Sequence, residues 1–277
     1  MKQEITVNEL GNQLPVPLTG GIRPFFNFKA WRMPEEKALN DLKTKHKGIG
    51  KYVRSALDYM LKDWDGKAWA EHDHNSRTLL LNRMPLANVF YLWIQLRIDA
   101  LGSKMIMQNM ACPHCQTEIK KFEADLTTMV VQPVGIKLDE NGGLVSEKVA
   151  EHFCYELKKP FDIGEVKVTK LFFSFTPWDC MEKLGTNATN LGAVKEAVLT
   201  SSFIGAGIEG SDKMVPLDKN KIFENLSKKD IEGYYDAVDT QNGGPVMKLT
   251  YGCPSCEKEV EQPLNWTYDY FFGSSSP

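Results

Sequence analysis

The chain has six cysteines, and four of them fall into two copies of one pattern, Cys112-Pro113-His114-Cys115 and Cys253-Pro254-Ser255-Cys256. Two thiolates separated by two residues can face one metal ion when the turn between them is tight. The proline after the first cysteine fixes one backbone angle of that turn. The flanks repeat as well. Met105-Ile106-Met107 leads into the first copy and Val246-Met247-Lys248-Leu249-Thr250-Tyr251 into the second. Gln116-Thr117-Glu118-Ile119 and Glu257-Lys258-Glu259-Val260 lead out. The repeated unit is a strand, a knuckle and a returning strand.

Two knuckles supply four sulfurs, a closed tetrahedral set with no position left for a substrate water. The expectation is one structural zinc ion (Zn2+) held by Cys112, Cys115, Cys253 and Cys256, although the pattern by itself does not separate zinc from iron. The long stretch between the copies departs from a compact ribbon. A redox pair is the rival chemistry, but nothing like a thioredoxin βαβ unit surrounds either motif. His114 lies inside a knuckle whose ligand set is already complete, so it is expected to face solvent.

Other candidates for chemistry have blander readings. His72 and His74 have no third ligand in view and read as part of a solvated loop. Cys154 in an apolar strand and Cys180 early in a helix read as inert. There is no phosphate-binding glycine loop, no Gly-x-Ser-x-Gly and no His-Glu-x-x-His. The expectation is therefore a protein that is not an enzyme. A net charge of −3 and a pI near 6.0 give no bulk attraction to nucleic acid. No apolar run reaches the roughly 18 residues of a membrane span. The first residues lack the apolar core of a signal peptide. Unexported Cys-x-x-Cys pairs favour metal over disulfide and a reducing cytoplasm.

The elements that must position the knuckles follow from periodicity. Residues 1–30 read as an extended arm with an aromatic end, Phe25, Phe26 and Phe28. Met33-Pro34-Glu35-Glu36 starts a helix. Tyr52, Val53, Ala56, Leu57, Met60 and Leu61 make a second helix at 3.6-residue spacing. Leu86 to Leu101 is apolar on more than one face, which marks a buried central helix. Gly102 ends it, and the first knuckle hairpin (104–123) follows at once. Residues 153–175 read as a small β-meander with turns at Lys158-Lys159-Pro160 and Asp162-Ile163-Gly164. Thr176-Pro177-Trp178-Asp179 switches the chain to helix, with Thr176 as the cap. Leu191 to Ser202 is helical, and Gly-rich 205–216 reads as a loop. Helices follow over 218–226 and 227–238, the latter opened by a capping box at Ser227 and Asp230. The second knuckle hairpin (246–263) leads to an aromatic tail.

The fold class expected is α+β, mainly helical, with a small antiparallel sheet and a zinc ribbon formed by the two distant knuckles. The domains expected are an N-terminal arm and helices (1–75) and a zinc-clasped unit (76–277). Aromatic clusters mark interfaces. Phe25, Phe26, Phe28, Trp266, Tyr268, Tyr270, Phe271 and Phe272 are therefore candidate partner-binding residues; the alternative, favoured for the arm, is that the arm and tail aromatics pack on the chain's own domain.

The order of parts resembles a known family. Leu96-Arg97-Ile98-Asp99-Ala100-Leu101-Gly102 runs into the first knuckle, and Ala124-Asp125-Leu126 follows. Strands around 153–160 and 166–171, the turn at Thr176 to Asp179, Leu226-Ser227-Lys228-Lys229-Asp230, the second knuckle and Phe271-Phe272 complete the series. This is similar to the T4-type bacteriophage baseplate hub and tail-assembly protein family, over roughly residues 80–272; the first 75 residues carry no evident match. The resemblance implies a non-catalytic component or assembly factor of a contractile tail baseplate. Its partners would be hub, tube or spike proteins, and its place the virion or, during assembly, the host cytoplasm. The alternative function is a zinc-ribbon nucleic-acid-binding protein, against which the glutamates flanking both knuckles argue.

Overall fold

The computed structural model describes residues 4–264 apart from 142 and 212, together with Phe272. Among the described residues, 42% are helical and 30% lie in strands. The strands form six small antiparallel sheets. The expectation of a mainly helical fold with one small sheet is therefore corrected to a balanced α+β architecture. The missed strands are short or glycine-containing. Phe203–Ile208, within and beside the stretch read as a loop, is a strand paired with Val166–Phe173 on one side and Met214–Val215 on the other. A Cβ at Gly205 would stand 2.5 Å from the Met214 side chain, so close strand passage requires the glycine that made this segment look irregular.

The central helix is Leu86–Leu101, and residues from Ala87 through Arg97 are mostly buried. Around it gathers one apolar core. This core takes Leu10, Leu14, Phe26, Leu39, Tyr52, Leu57 and Trp69 from the first part of the chain. It takes Met107, Ile119, Leu249, Tyr251 and Val260 from the two knuckle hairpins. Phe272 packs into it as well, stacked on Trp31 at 5.3 Å and edge-on to Trp93 at 4.8 Å.

Residues 4–18 lie against this core as a strap. Ile5, Val7, Leu10, Leu14 and Val16 are all at most 3% exposed. Ile5–Thr6 pairs with Val130–Gln132, which pairs on its other edge with Gly244–Pro245. The central helix holds the strap through polar side chains on one face. Asn88 accepts from the Val16 N–H at 2.9 Å and donates to the Val16 carbonyl at 2.8 Å. The Tyr91 hydroxyl and the Gln95 amide both reach the Gly11 carbonyl, at 2.5 and 3.2 Å. The spacing 88, 91, 95 follows the helical repeat.

A second core lies in the segment between the knuckles. The hairpin of Phe153–Ile163 and Val166–Phe173 heads a four-stranded sheet. Lys158-Lys159-Pro160 is not a turn. It is the irregular middle of the long first strand, where the pairing register shifts between Glu156 and Phe161. Helices Leu191–Ser202, Lys219–Asn225 and Lys228–Asn242 cover the sheet. Leu157, Leu171, Phe173, Leu199, Ile222, Tyr234 and Val238 fill the space between. Ser227 caps the last helix as expected, and its hydroxyl donates to Asp230 Oδ2 at 2.5 Å.

The two cores meet at residues 176–178. The Leu86 N–H donates to the Thr176 carbonyl at 2.8 Å, and the Trp178 N–H to the Met84 carbonyl at 2.9 Å. Thr176 is not the helix cap. It is buried and bound to Asn242, whose Oδ1 accepts from its N–H at 2.9 Å. Trp178 is fully buried, with its indole N–H on the Gly50 carbonyl at 3.1 Å.

Candidate metal centre

Both knuckles sit at the tips of two-stranded hairpins, Lys104–Ala111 with Glu118–Asp125 and Lys248–Gly252 with Glu259–Pro263. Ala111 pairs with Glu118 and Gly252 with Glu259, so each tip is a six-residue loop in the same register. The loops share their hydrogen bonds. The Cys112 N–H donates to the Thr117 carbonyl at 3.0 Å and the Gln116 N–H to the Cys112 carbonyl at 2.9 Å. The Cys253 N–H donates to the Lys258 carbonyl and the Glu257 N–H to the Cys253 carbonyl, both at 2.9 Å. Gln116 and Glu257 close the turns in the left-handed region, with φ of 60° and 57°. That conformation costs a non-glycine residue about 1–2 kcal/mol, and the same strain recurs at the same place in both copies.

The sequence repeat is therefore a structural repeat, and the two tips face each other. The sulfurs of Cys112, Cys115, Cys253 and Cys256 all lie within 4.8 Å of one another. Cys112 Sγ stands 3.8 Å from Cys256 Sγ, and Cys115 Sγ 3.7 Å from Cys253 Sγ. A disulfide needs its sulfurs at about 2.05 Å, so neither cross-knuckle pair is bonded. A tetrahedron of thiolates at about 2.3 Å from a central zinc has edges of about 3.8 Å. The donor set fits such an ion in number, type and spacing.

The electrostatics follow from four would-be anions sharing one small volume. The Thr117 hydroxyl, 3.3 Å from Cys115 Sγ, pulls that thiol down to about 6. The backbone N–H groups of Ser255 and Cys256 lower the Cys253 thiol. The Lys258 N–H favours the Cys256 thiolate, but desolvation and the three neighbouring sulfurs outweigh it and push this thiol up to about 12. A cation at the centre would reverse that repulsion and favour four thiolates together.

The neighbours brace the site. Phe122 and Tyr251 pack with ring centroids 4.4 Å apart, joining one hairpin to the other. His114 is exposed, as expected, and its Nε2 lies 3.1 Å from the Glu259 carbonyl on the opposite hairpin. Arg97 donates to the Gly102 and Lys104 carbonyls at 2.7 and 3.1 Å, so it ties the end of the central helix to the first hairpin. Burial lowers the pKa of its guanidinium.

The remaining candidates separate. Phe26 and Phe28 are buried in the chain's own core, Phe25 is 57% exposed, and Phe272 is 6% exposed. Trp266, Tyr268, Tyr270 and Phe271 lie outside the described residues. Cys180 is buried, and burial pushes its thiol up to about 12; Cys154 stands in a strand as an exposed thiol. A groove of about 500 Å³ between the helices of the second core is floored by Leu199, Phe223 and Ile231. Lys195, Glu196, Thr200 and Glu224 stand along it, with the Thr200 hydroxyl bonded to the Glu196 backbone carbonyl at 2.8 Å. No helix among the described residues is long and apolar enough to cross a membrane.

Sequence reasoning missed Gln116 and Glu257, whose shared position one residue after each second cysteine was the available signal. It also missed Asn88, Tyr91 and Gln95, which stood out only as polar residues in an otherwise apolar helix.

A family model described as T4 bacteriophage base plate protein matches residues 26–265. The match reaches well into the N-terminal part that carried no evident resemblance, and it stops short of the strap. Neither curated proteins nor solved structures give a match.

Proposed function

The chain belongs to the T4 bacteriophage base plate protein family, and on that premise we propose that it is a non-catalytic component of the hub region of a contractile-tail baseplate. A structural zinc ion on Cys112, Cys115, Cys253 and Cys256 holds it together. Family membership carries the baseplate role and the place in the virion tail. The sulfur tetrad carries the zinc, because its two cross-knuckle edges of 3.7 and 3.8 Å match a tetrahedral thiolate shell. The ion acts as a clasp. It joins hairpins that flank the second core in sequence, and so fixes the start of that segment to its end. With every position taken by sulfur, it offers no open site for catalysis. The arm end at Phe25 and the tail aromatics Trp266, Tyr268, Tyr270 and Phe271 are the docking elements toward hub, tube or spike proteins. Host cytoplasm is where the chain would fold and load its metal before joining the tail.

The test has two parts. Elemental analysis of the purified full chain should return one zinc per chain, with an X-ray absorption shell of four sulfurs near about 2.3 Å. A folded protein without metal would overturn the clasp. A phage lacking this chain should yield tails that complete only when the wild-type chain is supplied, and the chain should then be found in purified tails. Normal tails without it would overturn the baseplate role.

A further inference from the structure

The strap formed by residues 4–18 buries Ile5, Val7, Leu10, Leu14 and Val16, and the hydrogen bonds that hold it go mostly to its backbone. Arg23 donates to the Leu14 carbonyl at 2.7 Å and also to the Val134 carbonyl. Asn88 takes both backbone groups of Val16, and Tyr91 and Gln95 take the Gly11 carbonyl. The Val134 N–H donates to the Pro15 carbonyl at 2.9 Å, and the Val7 N–H to the Met129 carbonyl at 2.9 Å. These holding groups lie after residue 22, on the body of the protein, and the Ile22 carbonyl takes the Leu18 N–H at the joint. Asn88 and Gln95 are 0% and 6% exposed beneath the strap, and lifting it would open them, with the apolar residues beside them, to water.

Strap and body are joined at Thr19–Gly21. Gly20 and Gly21 both have positive φ, 80° and 78°, and a Cβ on either would meet nothing within 4 Å. The joint is thus a reversal that glycine permits, closed by two backbone hydrogen bonds at the surface, from the Leu18 N–H to the Ile22 carbonyl at 2.8 Å and from the Gly21 N–H to the Leu18 carbonyl at 2.9 Å, and by no packing around the glycines. The family match begins at residue 26, just past this joint. The body with its groove lies in the part shared with the family, and the occupant lies outside it.

We propose that this groove is a docking site for an extended segment, and that its second occupant is residues 4–18 of another copy of this chain. Opening the glycine joint lets the strap of one copy lie in the groove of the next. Apart from the two bonds of the joint itself, the contacts between strap and body are then re-formed between copies, including the strand pairing of Ile5–Thr6 with Val130–Gln132. Exchange of this kind joins protomers at low cost, because the interface already exists within one chain. The idea rests on the baseplate reading only for its use in assembly.

The experiment alters the joint in the full-length chain. One variant deletes Gly20 and Gly21; the other is Gly20→Pro with Gly21→Pro, since proline cannot take a positive φ. Neither leaves the strap able to fold back. Light scattering after size exclusion should give twice the 31.3 kDa chain mass. Hydrogen exchange should find the amides of Ile5–Thr6 and Val130–Gln132 as protected as in the wild type. Monomers overturn the proposal, with the strap protected or not. Dimers with freely exchanging straps overturn it too, since they associate elsewhere. Failure of both variants to fold also counts against it, because exchange would restore every strap contact. None of these outcomes touches the baseplate reading, which is decided by tail completion.

Discussion

The core around the central helix draws on residues from Ile5 to Phe272, whereas the second core draws its buried residues from Leu157 to Val238. The first is assembled from a strap, helices, two hairpins and a terminal aromatic, most of them far apart in sequence. The second is a sheet with three helices laid over it by consecutive chain. Closing long loops costs entropy before the contacts reward it, and a two-stranded hairpin is marginal alone. The first core is where the sulfur tetrad, the strap-holding side chains and Arg97 are found. The second relies on apolar packing, helix caps and the buried Asp230, which joins its last helix to its first strand through the Lys158 N–H at 2.7 Å. The cysteine cluster and most of the long-range polar ties lie in the first core, where the chain must bring its most distant parts together.

The largest test of that contrast is Cys112→Ser or Cys253→Ser. Structural zinc is worth about 10–16 kcal/mol in small isolated domains, so loss of one ligand should release the metal and unfold the hairpins first. Hydrogen exchange should rise sharply in Lys104–Ala111 and Lys248–Gly252 while Val166–Phe173 stays protected. Simultaneous loss of protection in both regions would mean that they are one cooperative unit.

Trp178→Ala acts in the first core, two residues from Thr176, whose bonds to Asn242 and Leu86 join the cores. Removing a fully buried tryptophan typically costs about 3–5 kcal/mol. Chemical denaturation should shift to lower midpoint and split into two transitions, because the brace at 176–178 is weakened. A single sharp transition at the wild-type midpoint would refute the brace.

Asp230→Ala reaches the second core alone, with an expected loss of about 1–3 kcal/mol at neutral pH. Burial pushes the Asp230 carboxyl up, but hydrogen bonds from Ser227 and from the Lys158 N–H prevail and hold it below the usual carboxylate range. A group with a depressed folded pKa contributes stability above its unfolded pKa, near about 3.9, and loses it as pH falls through the folded value. The gap between variant and wild type, measured by thermal melting, should therefore close on acidification below about pH 4. A gap that stays constant with pH would assign the loss to packing.

The smallest effect belongs to Gln116→Gly. Glycine relieves the left-handed backbone of the first knuckle, for a gain of up to about 1 kcal/mol, partly offset by its greater freedom when unfolded. Melting of the metal-loaded protein should rise by a few degrees or stay level. A marked fall would show that the Gln116 side chain holds the loop.

Much of the site is legible in the amino-acid sequence. Two matched knuckles give the four cysteines of the cluster by identity and spacing, because a Cys-x-x-Cys turn is local and its geometry is repeated by its own hydrogen bonds. The central helix is legible to the residue, since its apolar pattern and Gly102 are local signals. So is the cap at Ser227. The start of helix His74–Arg83 is less so: Asp73 and Ser76 are both cap-type residues, and Asp73 is the cap, with its carboxylate accepting from the Ser76 N–H at 2.9 Å. Both residues favour that role, and only the chain's path chooses between them.

What the sequence alone determined is the chemistry that local pattern can encode: four matched cysteines and the helix that leads to them. Tertiary structure decided how distant pieces meet. The strap lies on Asn88, Tyr91 and Gln95 through backbone groups, which every residue carries and no sequence pattern announces. The strand at Val130–Gln132 joins Ile5–Thr6 to Gly244–Pro245, a pairing between segments whose own sequences are too short to predict it. The balance of helix and strand turned on such non-local pairings, which is why a mainly helical expectation gave way to six small sheets.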